Sequence, residues 1–170
     1  PPSVKVDTIP DFCGTASIRP KSVVNSCAPA SATTNYFWEF PGGSPATSNI
    51  EYPGPINYAL PGTYDVKLYV TNACGASALS TRRFTIHETP ALTNTILDQT
   101  VCSNKPTTLV TLTADKPGAI FNWTATATAG ITGFLSSGTG NTIPVQTIVT
   151  TNPFPGKVTY TITPLLGTCP

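Results

Sequence analysis

Gly62-Thr63-Tyr64-Asp65-Val66-Lys67-Leu68-Tyr69-Val70-Thr71 alternates without interruption. Tyr64, Val66, Leu68 and Val70 project to one side and Asp65, Lys67, Tyr69 and Thr71 to the other, the period-2 signature of a half-buried β-strand. One face is core and the other meets water. Pro61-Gly62 before the run and Asn72-Ala73-Cys74-Gly75 after it are turn chemistry, supplying fixed or positive φ where the chain reverses. Arg82-Arg83-Phe84-Thr85-Ile86 reads as the returning partner, with Phe84 and Ile86 inward. Upstream, Tyr36-Phe37-Trp38-Glu39-Phe40 puts Tyr36, Trp38 and Phe40 on one side before Pro41-Gly42-Gly43-Ser44-Pro45 ends it, which describes a central strand with a large aromatic plug.

The same plan recurs further on. Thr107–Thr113 reads as a strand, Pro117-Gly118 as a turn, and Ile120-Phe121-Asn122-Trp123-Thr124 as a second aromatic strand. After a Gly-rich connection through Gly130, Gly133, Gly138 and Gly140, Gly156–Thr163 restores alternation with Val158, Tyr160 and Ile162 inward. A Trp on an early strand and a Gly-led, Tyr-containing strand later, occurring twice, predicts an all-β chain of two tandem immunoglobulin-like antiparallel β-sandwich domains. His87-Glu88-Thr89-Pro90-Ala91-Leu92 reads as a Pro-stiffened linker, giving domains 1–89 and 90–170.

Composition agrees with that plan. Charged residues are only 10% of the 170, so solubility falls to Thr, Ser, Asn and Gly, which suit extended strands. The 18 Pro and 13 Gly are scattered among β-branched residues, which favours many short strands over disorder, and helix is expected nowhere. A net charge of +1, with no basic run beyond Arg82-Arg83, argues against nucleic acid. No apolar stretch approaches the roughly 20 residues of a membrane-spanning helix, so no membrane insertion is expected. Any signal or anchor is expected outside this segment.

Two sets of motifs carry a family likeness. Trp38-Glu39-Phe40-Pro41-Gly42-Gly43-Ser44-Pro45, Pro61-Gly62-Thr63-Tyr64-Asp65-Val66 and Val70-Thr71-Asn72-Ala73-Cys74-Gly75 closely resemble the polycystic-kidney-disease (PKD) module of secreted Bacteroidetes proteins. The usual acidic Gly-Asp-Gly turn after Trp-x-Phe is replaced here by Pro41-Gly42-Gly43, which weakens any metal expectation at that turn. Val101-Cys102-Ser103, Asn122-Trp123-Thr124-Ala125, Gly140–Ile143, Pro155–Pro164 and Cys169 resemble the PKD-like repeat of the same bacteria. Arrays of both modules are similar to the very large surface adhesins of gliding Bacteroidetes. The resemblance implies export through the outer membrane and display at the bacterial cell surface.

Five Cys in a chain of extracellular character predict disulfides with one thiol left over. Cys102 and Cys169 bracket the second domain and are the expected bridge there. In the first, sandwich topology brings the loop after the second strand to the same end as the loop before the last strand, which favours Cys27 with Cys74. Cys13 is then unpaired, or competes for either of them. Asp7-Thr8-Ile9 resembles the Asp-Thr-aliphatic sequon that Bacteroidetes use for O-glycosylation, which marks Thr8 as a glycosylation candidate.

The remaining chemistry is sparse. Trp38 and Trp123 suit core plugs better than sugar platforms, whereas Phe37, Tyr52, Tyr58 and Tyr69 are expected at the surface. The single His87 lacks a nucleophile elbow or acidic orienter in sequence, so no catalytic residue is assigned and the chain is not expected to be an enzyme. The acidic residues are dispersed and no Cys-x-x-Cys knuckle exists, so no cofactor is expected beyond a weak calcium site around Asp65. These readings describe a non-catalytic stalk or spacer of an exported adhesin, with neighbouring repeats of the same chain as its partners and polysaccharide or a solid surface as the target class. The alternative is an accessory binding module of a secreted protease or polysaccharide-degrading enzyme.

Overall fold

The computed structural model describes residues 1–29 and 31–170. Two compact units emerge, Pro1–Glu88 and Thr89–Pro170. The division falls one residue before the expected one, so Thr89 belongs with the second unit. No helix occurs among the described residues.

The first unit contains β1 (Ser3–Val6), β2 (Phe12–Cys13), β3 (Ala16–Ile18), β4 (Ser22–Asn25), β5 (Asn35–Glu39), β6 (Thr47–Ser48), β7 (Ile56–Tyr58), β8 (Gly62–Asn72), β9 (Gly75–Ala76) and β10 (Ser80–His87). One sheet runs β2-β10-β8-β5-β6 with β9 also on β8, and the ladders β1-β4 and β3-β7 complete the unit. The alternation that defines β8 is the reason it lies centrally: Val66, Leu68 and Val70 are fully buried, and Trp38, Phe40, Phe84 and Ile86 join them from β5, the turn after it, and β10. Val6, Ala16, Ile18, Ile56 and Tyr58 close the core from the other strands. Burying a large apolar side chain contributes roughly 1.5–3 kcal/mol, so this cluster dominates the stability of the unit.

Two aromatic hydroxyl and indole groups lock the first core. Trp38 Nε1 donates to the carbonyl of Ile50 at 3.1 Å, which satisfies the indole inside the sandwich. Tyr64, near the start of β8, donates from its hydroxyl to Leu60 O, four residues upstream, at 2.8 Å, the tyrosine corner of immunoglobulin-like sandwiches. The Pro41-Gly42-Gly43 turn is fitted to that ring. Gly43 N–H donates to Phe40 O at 2.9 Å and Gly42 has φ +80°, a type II turn with Pro at its second position. A Cβ on Gly42 would lie 2.6 Å from the Tyr64 ring, and one on Gly43 2.7 Å from Ile56 Cγ2. The peptide bond between Ser44 and Pro45 is cis.

The second unit contains β11 (Lys105–Pro106), β12 (Val110–Thr111), β13 (Ile120–Ala127), β14 (Ile131–Thr132), β15 (Ser137–Thr139), β16 (Thr142–Ile143), β17 (Thr147–Thr150) and β18 (Val158–Leu165). The ladders are β15-β13-β18, β11-β17-β14 and β12-β16. The core is smaller, built on Leu112, Phe121, Trp123 and Ile143 with Tyr160 and Ile162 packed against it. Trp123 is 3% exposed and Trp38 1%, so each indole is enclosed in its own unit.

Several expectations for the second unit require correction. Thr107–Thr113 is not one strand; only Val110 and Thr111 pair with β16. Side-chain amides occupy backbone groups around it: Gln99 receives from Thr108 N–H at 2.8 Å and donates to Thr108 O at 3.1 Å, while Asn94 receives from Thr113 N–H at 2.8 Å and donates to Thr111 O at 2.9 Å. These amides do the work of a neighbouring strand. The Gly-rich connection, conversely, is not all loop: it carries the short strands β14 and β15, with β16 directly after it. Gly138 stands opposite Trp123 in the β13-β15 ladder, where a Cβ would strike the indole. Val158, Tyr160 and Ile162 are half-buried, because the smaller core does not cover β18 fully.

Candidate functional site

In the first unit the sulfurs of Cys27 and Cys74 are bonded, with Cα atoms 6.3 Å apart. The bridge joins the loop after β4 to the β8–β9 turn. Asn72 Nδ2 donates to Ser26 Oγ at 3.0 Å and Asn72 Oδ1 receives from Cys74 N–H at 2.9 Å, so side chains fasten the same end. Cys13 is not a free thiol, contrary to the reading that left it over.

The odd thiol is Cys102, which is exposed and unbonded, so the expected bridge between Cys102 and Cys169 does not form. Topology separates the two. Ser103 bonds with Thr150 and Asn104 donates to Ile148, placing Cys102 beside β17. Thr150 faces Ile131, just beyond the C-terminal end of β13. Cys169 is buried and pairs with Leu166, directly after Leu165, which faces Ile120 at the N-terminal end of β13. The two cysteines therefore sit toward opposite ends of an eight-residue strand, about 23 Å at ~3.3 Å per residue. A disulfide spans a Cα separation of only about 4.4–6.8 Å.

The aromatic candidates divide. Phe37 and Tyr69 face each other across β5 and β8 and stack at 4.6 Å, 7° between planes, on the outer face of the sheet. Phe37 is 39% exposed. Tyr52 is also exposed, its hydroxyl held above the ordinary tyrosine range by a hydrogen bond to Glu51. Tyr58 is not a surface residue. It is 1% exposed on β7, and burial, with a smaller contribution from Tyr64, pushes its hydroxyl up to about 12. Ile56-Asn57-Tyr58 is too short between Pro55 and Pro61 to read as a strand, yet it pairs with Ala16–Ile18 and buries Ile56 and Tyr58.

The charged candidates are engaged structurally. Arg83 Nε donates to Asp65 Oδ1 at 2.8 Å and Arg83 Nη2 to Asp65 Oδ2 at 3.0 Å, which holds that carboxyl below its usual range. Both oxygens of Asp65, the residue at the centre of the calcium expectation, thus accept from Arg83 in a bidentate pair. No group of three or more His, Cys, Asp or Glu side chains converges among the described residues. His87 is the last residue of β10 and not part of a linker. Its Nε2 lies 3.6 Å from Asp11 Oδ2, while Asp11 Oδ1 receives from Thr85 N–H at 2.7 Å. That carboxylate is a backbone anchor.

Thr8 is exposed, and its hydroxyl oxygen receives from Arg82 Nη2 at 3.1 Å. With Ile9, Phe12, Arg19, Pro20 and Lys21 it lines a shallow cleft of about 270 Å³. In the second unit the feature missed by sequence reading is Gln146. Buried to 6% exposure, its Oε1 receives from Leu135 N–H at 2.6 Å and from the Tyr160 hydroxyl at 3.2 Å. A lone Gln between Val145 and Thr147 gives no sequence signal for that role.

The fold and these surfaces define a class: tandem immunoglobulin-like modules, the first carrying the Cys27–Cys74 disulfide. Residues 9–86 match the family model described as PKD domain, and residues 99–170 match the one described as PKD-like domain. The chain thus carries two PKD-type domains in tandem. Such domains are typically non-catalytic extracellular modules. No curated protein matches the chain.

Proposed function

We propose that the chain is a non-catalytic repeat segment of an exported bacterial cell-surface adhesin, serving as stalk or spacer in attachment or gliding. The observation that carries the reading is the tandem itself: each PKD-type unit encloses its own Trp-centred core. A unit that is complete by itself can be repeated to add length without a new fold. The polar, weakly charged surface and the Cys27–Cys74 bridge favour life outside the cell. Neighbouring repeats are its partners in this reading, and polysaccharide or solid surface is what the whole protein contacts.

The test replaces this segment in the full-length protein with two unrelated sandwich modules of equal length. Attachment of the cells is expected to survive. Loss of attachment, together with retention of the isolated 170-residue chain on insoluble polysaccharide, overturns the spacer role in favour of an accessory binding module.

A further inference from the structure

Within the first PKD-type domain the N-terminal segment runs beside the last strand at a constant offset. Val6 N–H donates to Ser80 Oγ at 3.0 Å, Arg82 Nη2 to Thr8 Oγ1 at 3.1 Å, and Thr85 N–H to Asp11 Oδ1 at 2.7 Å, each pair 74 residues apart. Phe12 and Cys13 then pair in parallel with Ile86 and His87. Arg82 Nε also donates to Asp7 O at 3.3 Å, and Gly14 N–H to His87 O at 2.8 Å. Of the N-terminal segment only Phe12 and Cys13 form a regular ladder with β10, continued by the Gly14 N–H; the side chains of Ser80, Arg82 and Asp11 extend the seam beyond it.

We infer that this seam is a force-bearing lock, in which Arg82 and Asp11 hold the domain shut against tension applied along the chain. The chain enters the seam at the Val6–Ser80 end and leaves it at the Cys13–His87 end. Tension between the entry and exit therefore slides the two segments along each other, and the bonds must yield together. Had the segments been antiparallel, the same tension would open one bond at a time. Forced unfolding is governed by the unfolding rate, so bonds of little equilibrium value can dominate it. Exposed single hydrogen bonds and ion pairs of this kind contribute modestly to equilibrium stability. The inference goes beyond the spacer reading, because it concerns how this one domain yields, whatever protein it serves.

The experiment pulls the full chain by single-molecule force spectroscopy in reducing buffer, so that no sulfur bridge carries load. Handles at Pro1 and Thr89 shear the seam; handles at Pro1 and Leu79 load the same seam from its Val6–Ser80 end and unzip it. The rupture force is expected to be several-fold higher in the first geometry. Arg82→Ala with Asp11→Ala is expected to lower the shear force toward the unzipping force while moving the thermal midpoint only slightly. Equal forces for the unsubstituted chain in the two geometries overturn the lock. So does a shear force unchanged in the double variant. The geometry comparison needs no substitution in the seam and stands even if the double variant does not fold. Failure here leaves the spacer reading intact, since the module-replacement assay reads attachment and not rupture.

Discussion

Gly138 on β15 lies opposite Trp123 on β13, so close that any Cβ at position 138 would enter the indole ring. The glycine is chosen for space. Its absent side chain is what lets Trp123 fill the small second core with Phe121, Leu112 and Ile143. Gly138→Ala should therefore force the indole from its seat, at about 1–3 kcal/mol for overpacking a close-fitted core. Hydrogen exchange resolved by domain checks it: protection should fall in residues 89–170 and hold in 1–88. Unchanged protection would mean that the ring is not confined there.

In the first domain, Tyr64→Phe removes the hydroxyl that donates to Leu60 O and leaves the ring under Gly42. The expected loss is about 1 kcal/mol, the ordinary net value of one hydrogen bond. Gly42→Ala should cost more, since it meets the ring and also strains a φ of +80°. Urea melts of both variants give the order directly.

Tyr58 makes the first domain sensitive to alkali. Its hydroxyl is buried without a hydrogen-bond partner and its pKa is raised to about 12 in the fold, against 10.0 for an ordinary tyrosine. A raised folded pKa means that the native state holds its proton longer than the unfolded chain does. Stability is complete below about pH 10 and falls between about 10 and 12, by up to ~1.4 kcal/mol per pH unit. Tyr58→Phe should remove this slope at almost no cost near neutral pH, because the hydroxyl bonds to nothing there. Parallel slopes for variant and parent would exclude the mechanism.

The sulfur chemistry gives a fourth prediction. Replacing Cys27 and Cys74 together by Ser opens a loop of 47 positions, worth up to about 4 kcal/mol in the chain-entropy model. In the unsubstituted native protein, iodoacetamide should add one label, at Cys102, the exposed free thiol. Peptide mapping of the alkylated chain decides it, and a label at Cys27 or Cys74 instead would refute the pairing.

Residue alternation was sufficient wherever a strand is long and buried on one face. Val66, Leu68 and Val70, or Trp38 with Phe40, declare their inward direction through a period that only a strand supports. The PKD likeness was legible for the same reason, since Trp-x-Phe and Pro-Gly-Thr-Tyr record how a core aromatic, a turn and a Tyr corner must follow one another. Short or side-chain-paired segments were not legible. Tyr58 reads as a surface residue because three strand residues between prolines carry no period, and Thr107–Thr113 alternates although only Val110 and Thr111 join a neighbouring strand, the amides of Asn94 and Gln99 taking other backbone groups of the segment.

By itself, then, the sequence determined the class: two antiparallel sandwiches, each around one Trp, because burial alternates with position along a chain regardless of what lies across from it. Only the tertiary structure decided which distant residues meet. The separation of Cys102 from Cys169, the commitment of Asp65 to Arg83, and the 74-residue offset joining Asp11 to Thr85 all depend on which end of which strand each residue occupies. Ladder register and strand order set those distances, and neither is written in local pattern.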